Sequence, residues 1–116
     1  MYLEIFSNLN DVLQEFSHSY DHVDDEMKEY NDINVLLAFY EYENYSGWAF
    51  VLFERGGVLY EVNGSHCSCY GLEGQWNPEE TNVEALRHRI IKGNLGSGCY
   101  GNFAGDLQKI LNKWEA

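Results

Sequence analysis

The sequence contains few basic residues. Only 7 Lys and Arg residues stand against 19 Asp and Glu residues, so the formal net charge of the 116-residue chain is -12. Nucleic acids and anionic membrane surfaces are negatively charged and are bound through clustered Lys and Arg. The composition therefore argues against direct binding of nucleic acid or of an anionic membrane. It favours a basic protein surface as the partner.

Long apolar runs are also absent. No run approaches the roughly 18 to 20 apolar residues that cross a bilayer. Residues 1 to 6 lack the basic region and the cleavage site of a signal peptide. The three cysteines are an odd number, and Cys67 and Cys69 are too close together to pair comfortably. Free thiols in a reducing compartment fit best, and we expect a cytoplasmic protein.

The residues that are present predict a folded chain with an uneven charge. A hydrophobic fraction of 45% and an aromatic fraction of 16% exceed those of disordered chains, and 116 residues suit one domain, 1–116. Residues 1–54 carry 12 acids and one base, a net charge of -11, whereas residues 55–116 carry 7 acids and 6 bases, a net charge of -1. We therefore expect the first half to present a concentrated negative field.

The hydrophobic periodicity of the first half predicts a helix followed by strands. Apolar residues at i, i+3, i+4 and i+7 predict a helix over about 8–18, and the acidic residues 19–32 are either a short helix or an ordered connection. Runs rich in β-branched and aromatic residues then predict an antiparallel sheet. Its expected strands are about 33–42, 48–54 and 58–63, separated from an optional fourth strand at 66–70 by a break at Asn63-Gly64-Ser65.

The second half predicts two further helices. Thr81 and Glu84 have the spacing of a capping box, and we assign Glu79 and Glu80 to the same helix start. This helix is expected to run to Lys92 with Gly93 as its cap. Apolar positions from 103 to 114 predict a final amphipathic helix. The expected fold class is α+β, an antiparallel sheet of three to four strands packed against N-terminal and C-terminal helices.

An acidic, tyrosine-rich stretch over residues 20–54 is the predicted partner-binding surface. On an edge strand, alternate residues share a face, so carboxylates would lie on one side and phenols on the other. Tyrosine is a common interface anchor because it adds a large area at a small entropy cost. The alternative is a solvated acidic face beside rings that cover a small sheet. The candidate residues are Asp21, Asp24, Asp25, Glu26, Glu29, Tyr40, Glu41, Tyr42, Glu43 and Tyr45.

A histidine and three cysteines form a weaker alternative, a metal-dependent or thiol-dependent site of His66, Cys67, Cys69 and Cys99. The spacing argues against zinc, because Cys67 and Cys69 would share one strand face with His66 on the other. Structural zinc sites usually have two to four residues between paired cysteines, on a tight turn that directs both sulfurs at one metal. Thiols packed as small hydrophobes are the favoured interpretation. No nucleophile signature or phosphate-binding loop is present. We therefore expect neither enzymatic activity nor a cofactor.

The segment Gly64-Ser65-His66-Cys67-Ser68-Cys69-Tyr70-Gly71-Leu72-Glu73-Gly74-Gln75-Trp76, with Pro78-Glu79-Glu80-Thr81 after it, resembles a group of small uncharacterised bacteriophage and prophage proteins. The resemblance implies a phage context and no mechanism. Small acidic phage proteins are often inhibitors of host defence or host transcription. The expected function is therefore an inhibitor in the host cytoplasm that presents a nucleic-acid-like negative surface to a basic host protein, such as a defence nuclease or a transcription factor. A phage assembly component is the other alternative.

Overall fold

The computed structural model of the chain describes residues 1–17, 23–43, 46–66, 71–97 and 102–115. These residues form a five-stranded mixed sheet and four helices, which confirms the α+β prediction but adds strands to the expected sheet. In chain order the elements are β1 (Tyr2–Glu4), α1 (Leu9–Phe16), α2 (Asp25–Lys28), β2 (Asn34–Glu43), β3 (Ser46–Arg55), β4 (Val58–His66), β5 (Glu79–Thr81), α3 (Val83–Lys92) and α4 (Ala104–Glu115).

The sheet has the strand order β1-β2-β3-β4-β5. Strands β2 to β5 form an antiparallel meander, as expected. Strand β1 instead pairs in parallel with β2, with Tyr2 opposite Ala38 and Glu4 opposite Tyr40. The prediction of a purely antiparallel sheet is therefore wrong at this edge. The turn between β3 and β4 uses Gly56 and Gly57 at φ +62° and +82°, the conformation for which paired glycines are suited.

The sheet is covered by helices on both faces. Successive strand residues point to opposite faces, so Leu37 and Phe39 lie on one side of β2 and Ala38 and Tyr40 on the other. Helices α1 and α2 cover the face that carries Ala38. Helices α3 and α4 cover the face that carries Leu37. The helical side chains that are buried in the first core are Val12, Leu13, Phe16 and Met27, and those in the second are Leu86, Leu107 and Leu111.

Helices α1 and α3 are each capped by an asparagine. Asn8 accepts a hydrogen bond from the Asp11 backbone N–H at 2.9 Å, and Asn82 accepts one from Ala85 N–H at 2.8 Å. The cap predicted at Thr81 is therefore wrong by one residue. Thr81 belongs to β5, and Glu79 and Glu80 pair with β4 instead of starting the helix. The predicted end of α3 at Lys92, with Gly93 as its cap, is confirmed.

Strand β4 runs without interruption through the predicted break at Asn63-Gly64-Ser65. Gly64 is buried because a neighbouring segment approaches it closely: a Cβ there would lie 3.1 Å from Leu72 Cδ2 and 3.2 Å from Phe16 Cε1. The side chain of Gln75 accepts a hydrogen bond from Ser65 N–H at 2.9 Å and donates one to Ser65 O at 2.7 Å. The glycine thus permits close packing and does not end the strand. Residues 67–70 of the optional fourth strand lie outside the described ranges.

None of the helices in the described part of the chain is long and apolar enough to span a membrane.

Candidate functional site

The two helical layers differ strongly in charge. We call residues 5–17, 23–32 and 71–78 the acidic layer, because they carry eight carboxylates and one lysine, a formal net charge of -7. We call residues 82–97 and 102–115 the mixed layer, because they carry three carboxylates and five Lys or Arg residues, a formal net charge of +2. The charge asymmetry in the sequence is therefore also a difference between two sides of the sheet.

Helix α2 holds several of these carboxylates in water through one buried side chain. Met27 is only 5% exposed and packs in the core of the acidic layer. Asp25 and Glu26, the two residues before Met27, are exposed, and the Asp25 side chain is 99% exposed. Lys28 lies 3.4 Å from Asp25 and is the only base of the layer. Such an exposed pair contributes little stability, and Glu26 and Glu29 form no ion pair with a residue that the structure describes.

A cleft of about 360 Å³ lies between α2 and the segment that precedes β5. We call it the acidic cleft. Its lining residues include three carboxylates, Asp24, Glu26 and Glu29, together with Met27, Tyr30 and Trp76. It therefore combines carboxylates with aromatic surface, which are the two kinds of group that bind a Lys or Arg side chain.

The aromatic residues of the acidic cleft are fixed by ring contacts. Trp76 stacks on Phe53 with ring centroids 5.8 Å apart and an interplanar angle of 8°. It also meets Tyr30 edge to face at 5.2 Å and Phe16 at 5.1 Å. Tyr30 in turn contacts Phe53 at 6.2 Å. The floor of the cleft is thus built on the sheet and does not depend on α2 alone.

An arginine of the protein itself shows how a guanidinium binds beside this cleft. Arg55 lies over the Tyr30 ring, 4.8 Å from its centroid. Its Nη2 donates hydrogen bonds to the Glu29 backbone oxygen at 2.7 Å and to Asp32 Oδ1 at 3.2 Å. The tyrosine face, the carbonyl and the carboxylate therefore already bind one arginine side chain.

The predicted binding residues are only partly brought together. Asp24, Glu26 and Glu29 line the acidic cleft, and Asp25 lies exposed on the same helix. Glu41 is exposed but lies six residues along β2 from Val35, which is opposite Phe53 under the cleft. At roughly 3.3 Å per residue, this places Glu41 about 20 Å away along the strand. The structure therefore places Glu41 outside the acidic cleft, and its role in partner binding stays a prediction.

Tyr40 is a correction to the sequence prediction. Its side chain is 2% exposed, and its ring lies 5.4 Å from that of Phe6. The reason is that its side chain points to the face of the sheet that α1 and α2 cover, where it belongs to the same buried core as Phe6 and Val12. Tyr40 is a core residue and cannot serve as an exposed interface anchor. The side chains of Tyr42 and Glu43, and all of Asp21 and Tyr45, lie outside the described part of the structure.

The metal or thiol alternative stays a prediction. His66 ends β4, with its ring centroid 6.5 Å from that of Tyr40. Cys67, Cys69 and Cys99 lie outside the described residues. Among the residues that are described, no group of three or more His, Cys, Asp or Glu side chains is arranged to hold a metal ion.

One carboxylate of the acidic layer has a perturbed pKa. Burial raises the pKa of Glu15 above its usual range, and the negative charges of Glu73 and Asp11 act in the same direction, while His66 opposes them. Glu15 lies in the last turn of α1, and Glu73 lies beside the Gln75 contact to β4. The acidic layer therefore already experiences its own repulsion in the absence of a partner.

Sequence reasoning missed the aromatic half of the acidic cleft. Tyr30 follows Met27 by three residues, a spacing that indicates the same helical face. Trp76 and Arg55 gave no comparable signal, because they reach the cleft from distant parts of the sequence through the packing of the sheet. Local patterns identified the carboxylates, whereas the surface beneath them depends on tertiary structure.

The chain was compared with protein-family models, curated proteins and solved structures, and nothing matches in any of the three comparisons.

Proposed function

We propose that the protein acts by binding, not by catalysis, and that its acidic layer docks onto a basic surface of another protein. The acidic cleft receives a Lys or Arg side chain of the partner. The observation that carries this proposal is the combination of three carboxylates with the Tyr30 and Trp76 rings in one cleft of a layer with a net charge of -7. Arg55 beside Tyr30 supports the same chemistry, since it is an arginine held by a ring face and by oxygen acceptors.

The partner that fits this surface is a nucleic-acid-binding protein. A protein that binds phosphates has a basic groove, and an acidic surface of suitable shape gains from the release of the same counterions and from the same long-range attraction. The proposed outcome is competition: the protein occupies the groove and excludes the nucleic acid. In the phage context that the sequence resemblance implies, the partner is a host defence nuclease or transcription factor, and the protein acts in the host cytoplasm.

Affinity capture from a host lysate at low and high salt tests the proposal. The bait is the intact protein, and the comparison is the variant Asp24→Asn with Glu26→Gln and Glu29→Gln. The expected result is that a nucleic-acid-binding protein is retained at low salt, released at high salt and lost with the triple variant. With the purified partner, we expect an affinity loss of about three- to 150-fold, because exposed charge pairs contribute about 0.2–1 kcal/mol each and three are removed.

A matched variant separates a specific site from net charge. Glu79→Gln with Glu80→Gln and Glu84→Gln removes the same three charges from β5 and the start of α3. It should keep the partner with nearly unchanged affinity. Equal losses in the two triple variants would mean that only net charge matters, and retention by the first variant would contradict the acidic cleft as the binding site.

A further inference from the structure

A second cleft, of about 610 Å³, lies on the opposite side of the sheet between α4 and the beginning of β2. We call it the basic cleft. The residues that line it include Val35 and Leu36 from β2 and Lys109, Ile110, Lys113 and Trp114 from α4. Its volume falls within the range of about 300–1,000 Å³ that is typical of small-molecule sites.

The apolar wall of the basic cleft is produced by a β-bulge. Val35 is opposite Phe53, and Leu37 is opposite Leu52, so Leu36 is an extra residue with no partner on β3. Leu36 and Leu37 both pack on the side of the sheet that α4 covers. A bulge changes the direction in which a strand presents its side chains, and here it places an additional leucine at the cleft. Ile110 is half-buried and Trp114 is 38% exposed, so apolar surface remains open to a ligand.

The charge of the basic cleft is opposite to that of the protein as a whole. Lys109 and Lys113 are four residues apart, so they lie on the same face of α4. Neither forms an ion pair with a residue that the structure describes, whereas Lys28 and all three arginines do. No carboxylate is among the residues that line this cleft. In a chain with 19 acids and 7 bases, two ammonium groups without counter-charges face an apolar surface.

We propose that the basic cleft binds a small amphipathic anion, with an acid group between Lys109 and Lys113 and an apolar body against Leu36, Ile110 and Trp114. The two lysines supply mobile donors for the acid group, while the leucine, isoleucine and tryptophan remove the apolar body from water. The proposal is independent of the acidic cleft, because the two sites lie on different layers and share no residue.

Titration of the intact, isotope-labelled protein with octanoate tests this site by backbone amide NMR. The expected result is saturable shifts confined to the residues that line the cleft and their chain neighbours, 1–2, 34–36 and 109–114. Two probes that each lack one half of the chemistry provide the comparison: 1-octanol lacks the acid group, and acetate lacks the apolar body. Both should bind more weakly than octanoate. Equal binding of octanol, or shifts outside these residues, would overturn the assignment.

Variants test the role of the lysines. Lys109→Gln with Lys113→Gln should weaken octanoate binding about three- to tenfold, since both ammonium groups are exposed and exposed charge pairs are weak. Lys28→Gln with Lys92→Gln removes the same charge from α2 and α3 and should leave octanoate binding unchanged. Equal effects of the two pairs would contradict the site.

Light scattering of the unliganded protein tests whether a second copy of the chain occupies the basic cleft. A dimer that dissociates in the Lys109 and Lys113 variant would show that a second copy of the chain, and not a small anion, fills the basic cleft. A monomer whose amide shifts saturate with octanoate supports the small-anion site.

Discussion

The acidic layer and the mixed layer do the same structural task with opposite surfaces. Each covers one face of the sheet with buried aromatic and aliphatic side chains, as shown by Phe16 at 1% and Phe103 at 0% exposure. Yet one layer has a net charge of -7 and the other +2. Packing requires only the inward-facing residues, so the charge difference is not needed to build the fold. It is the property of the surface that calls for a functional explanation.

The layers also differ in how their charges are compensated. In the mixed layer, Arg87 pairs with Glu115, and Arg89 donates to both carboxylate oxygens of Glu61 on β4 at 2.5 and 2.6 Å. The acidic layer has one base, Lys28, in an exposed pair with Asp25. The mixed layer therefore uses charge partly to hold its own structure together. Arg55 of β3 pairs with Asp32 of the acidic layer, but Glu26 and Glu29 form no ion pair with a residue that the structure describes.

The largest expected effect tests whether the two layers are equally necessary for stability. Phe103→Ala removes a fully buried ring of the mixed layer that contacts Phe39 at 4.9 Å and Phe50 at 5.0 Å. Phe16→Ala removes the corresponding kind of ring from the acidic layer. Each should lower the free energy of unfolding by about 3–5 kcal/mol, measured by urea denaturation. A much smaller loss for Phe16 would show that the acidic layer is only loosely attached to the sheet.

A somewhat smaller effect is expected when the buried ion pair of the mixed layer is broken. Glu61 is 5% exposed, and Arg89→Ala leaves its carboxylate without the guanidinium. The free energy of unfolding should fall by about 2–4 kcal/mol, with Asn63 still donating to Glu61 Oε1 at 2.8 Å. Adding Glu61→Gln to this variant should restore part of the loss. If the double variant is no more stable than Arg89→Ala, the buried charge is not the cause.

The self-repulsion of the acidic layer should appear as a salt effect of about 0.5–1 kcal/mol. Added NaCl should raise the free energy of unfolding of the unmodified protein in urea, because it screens the carboxylates. The variant Asp24→Asn with Glu26→Gln and Glu29→Gln should be more stable at low salt and respond less. An unchanged salt response would show that these carboxylates do not repel one another appreciably in the folded state.

The smallest expected effect concerns Glu15. Its pKa is raised by burial and by Glu73 and Asp11, so the ionised form is disfavoured in the folded state. This destabilisation is present at pH values above the folded-state pKa and disappears as the pH falls towards the unfolded carboxyl pKa of about 4.3. Glu15→Gln should therefore stabilise the protein at pH 7 and lose this advantage near pH 4, as measured by urea denaturation. Glu79→Gln, at an exposed position of β5, is the comparison. A gain that persists unchanged at acid pH would exclude the charge as its origin.

The sequence predicted the elements whose signals are local. The apolar spacing of α1, the strands around Gly56-Gly57 and the end of α3 at Gly93 were all correctly placed. Strands β1 and β5 have three residues each and form by pairing with the neighbouring strand. They are too short for a hydrophobic periodicity that would predict them. Tyr40 is buried because the helices of the acidic layer cover its face of β2, a long-range contact without a local signal, so its assignment to the surface was wrong.

The candidate site was predictable to a similar extent. The carboxylates at the start of α2 stand out in composition, because Asp24, Asp25 and Glu26 are consecutive and Lys28 is the one base in residues 1–54. The aromatic floor of the acidic cleft could not be predicted, because it depends on Trp76 stacking on Phe53 and on Tyr30 packing beside them. The basic cleft required the bulge at Leu36, which arises from the register between β2 and β3 and has no local signature.

The contact between Gln75 and Ser65 has a consequence for solubility at high concentration. Strand β5 pairs with β4 only over Leu59 to Glu61, so the later part of β4 extends beyond its neighbour. An exposed strand edge of this kind is a template for addition of another chain and for growth of fibrils. The amide of Gln75 occupies both the donor and the acceptor of Ser65, as a residue of a neighbouring strand would. In the described part of the chain, this side chain therefore takes the place of a strand beside Ser65, and we expect it to disfavour edge-to-edge association.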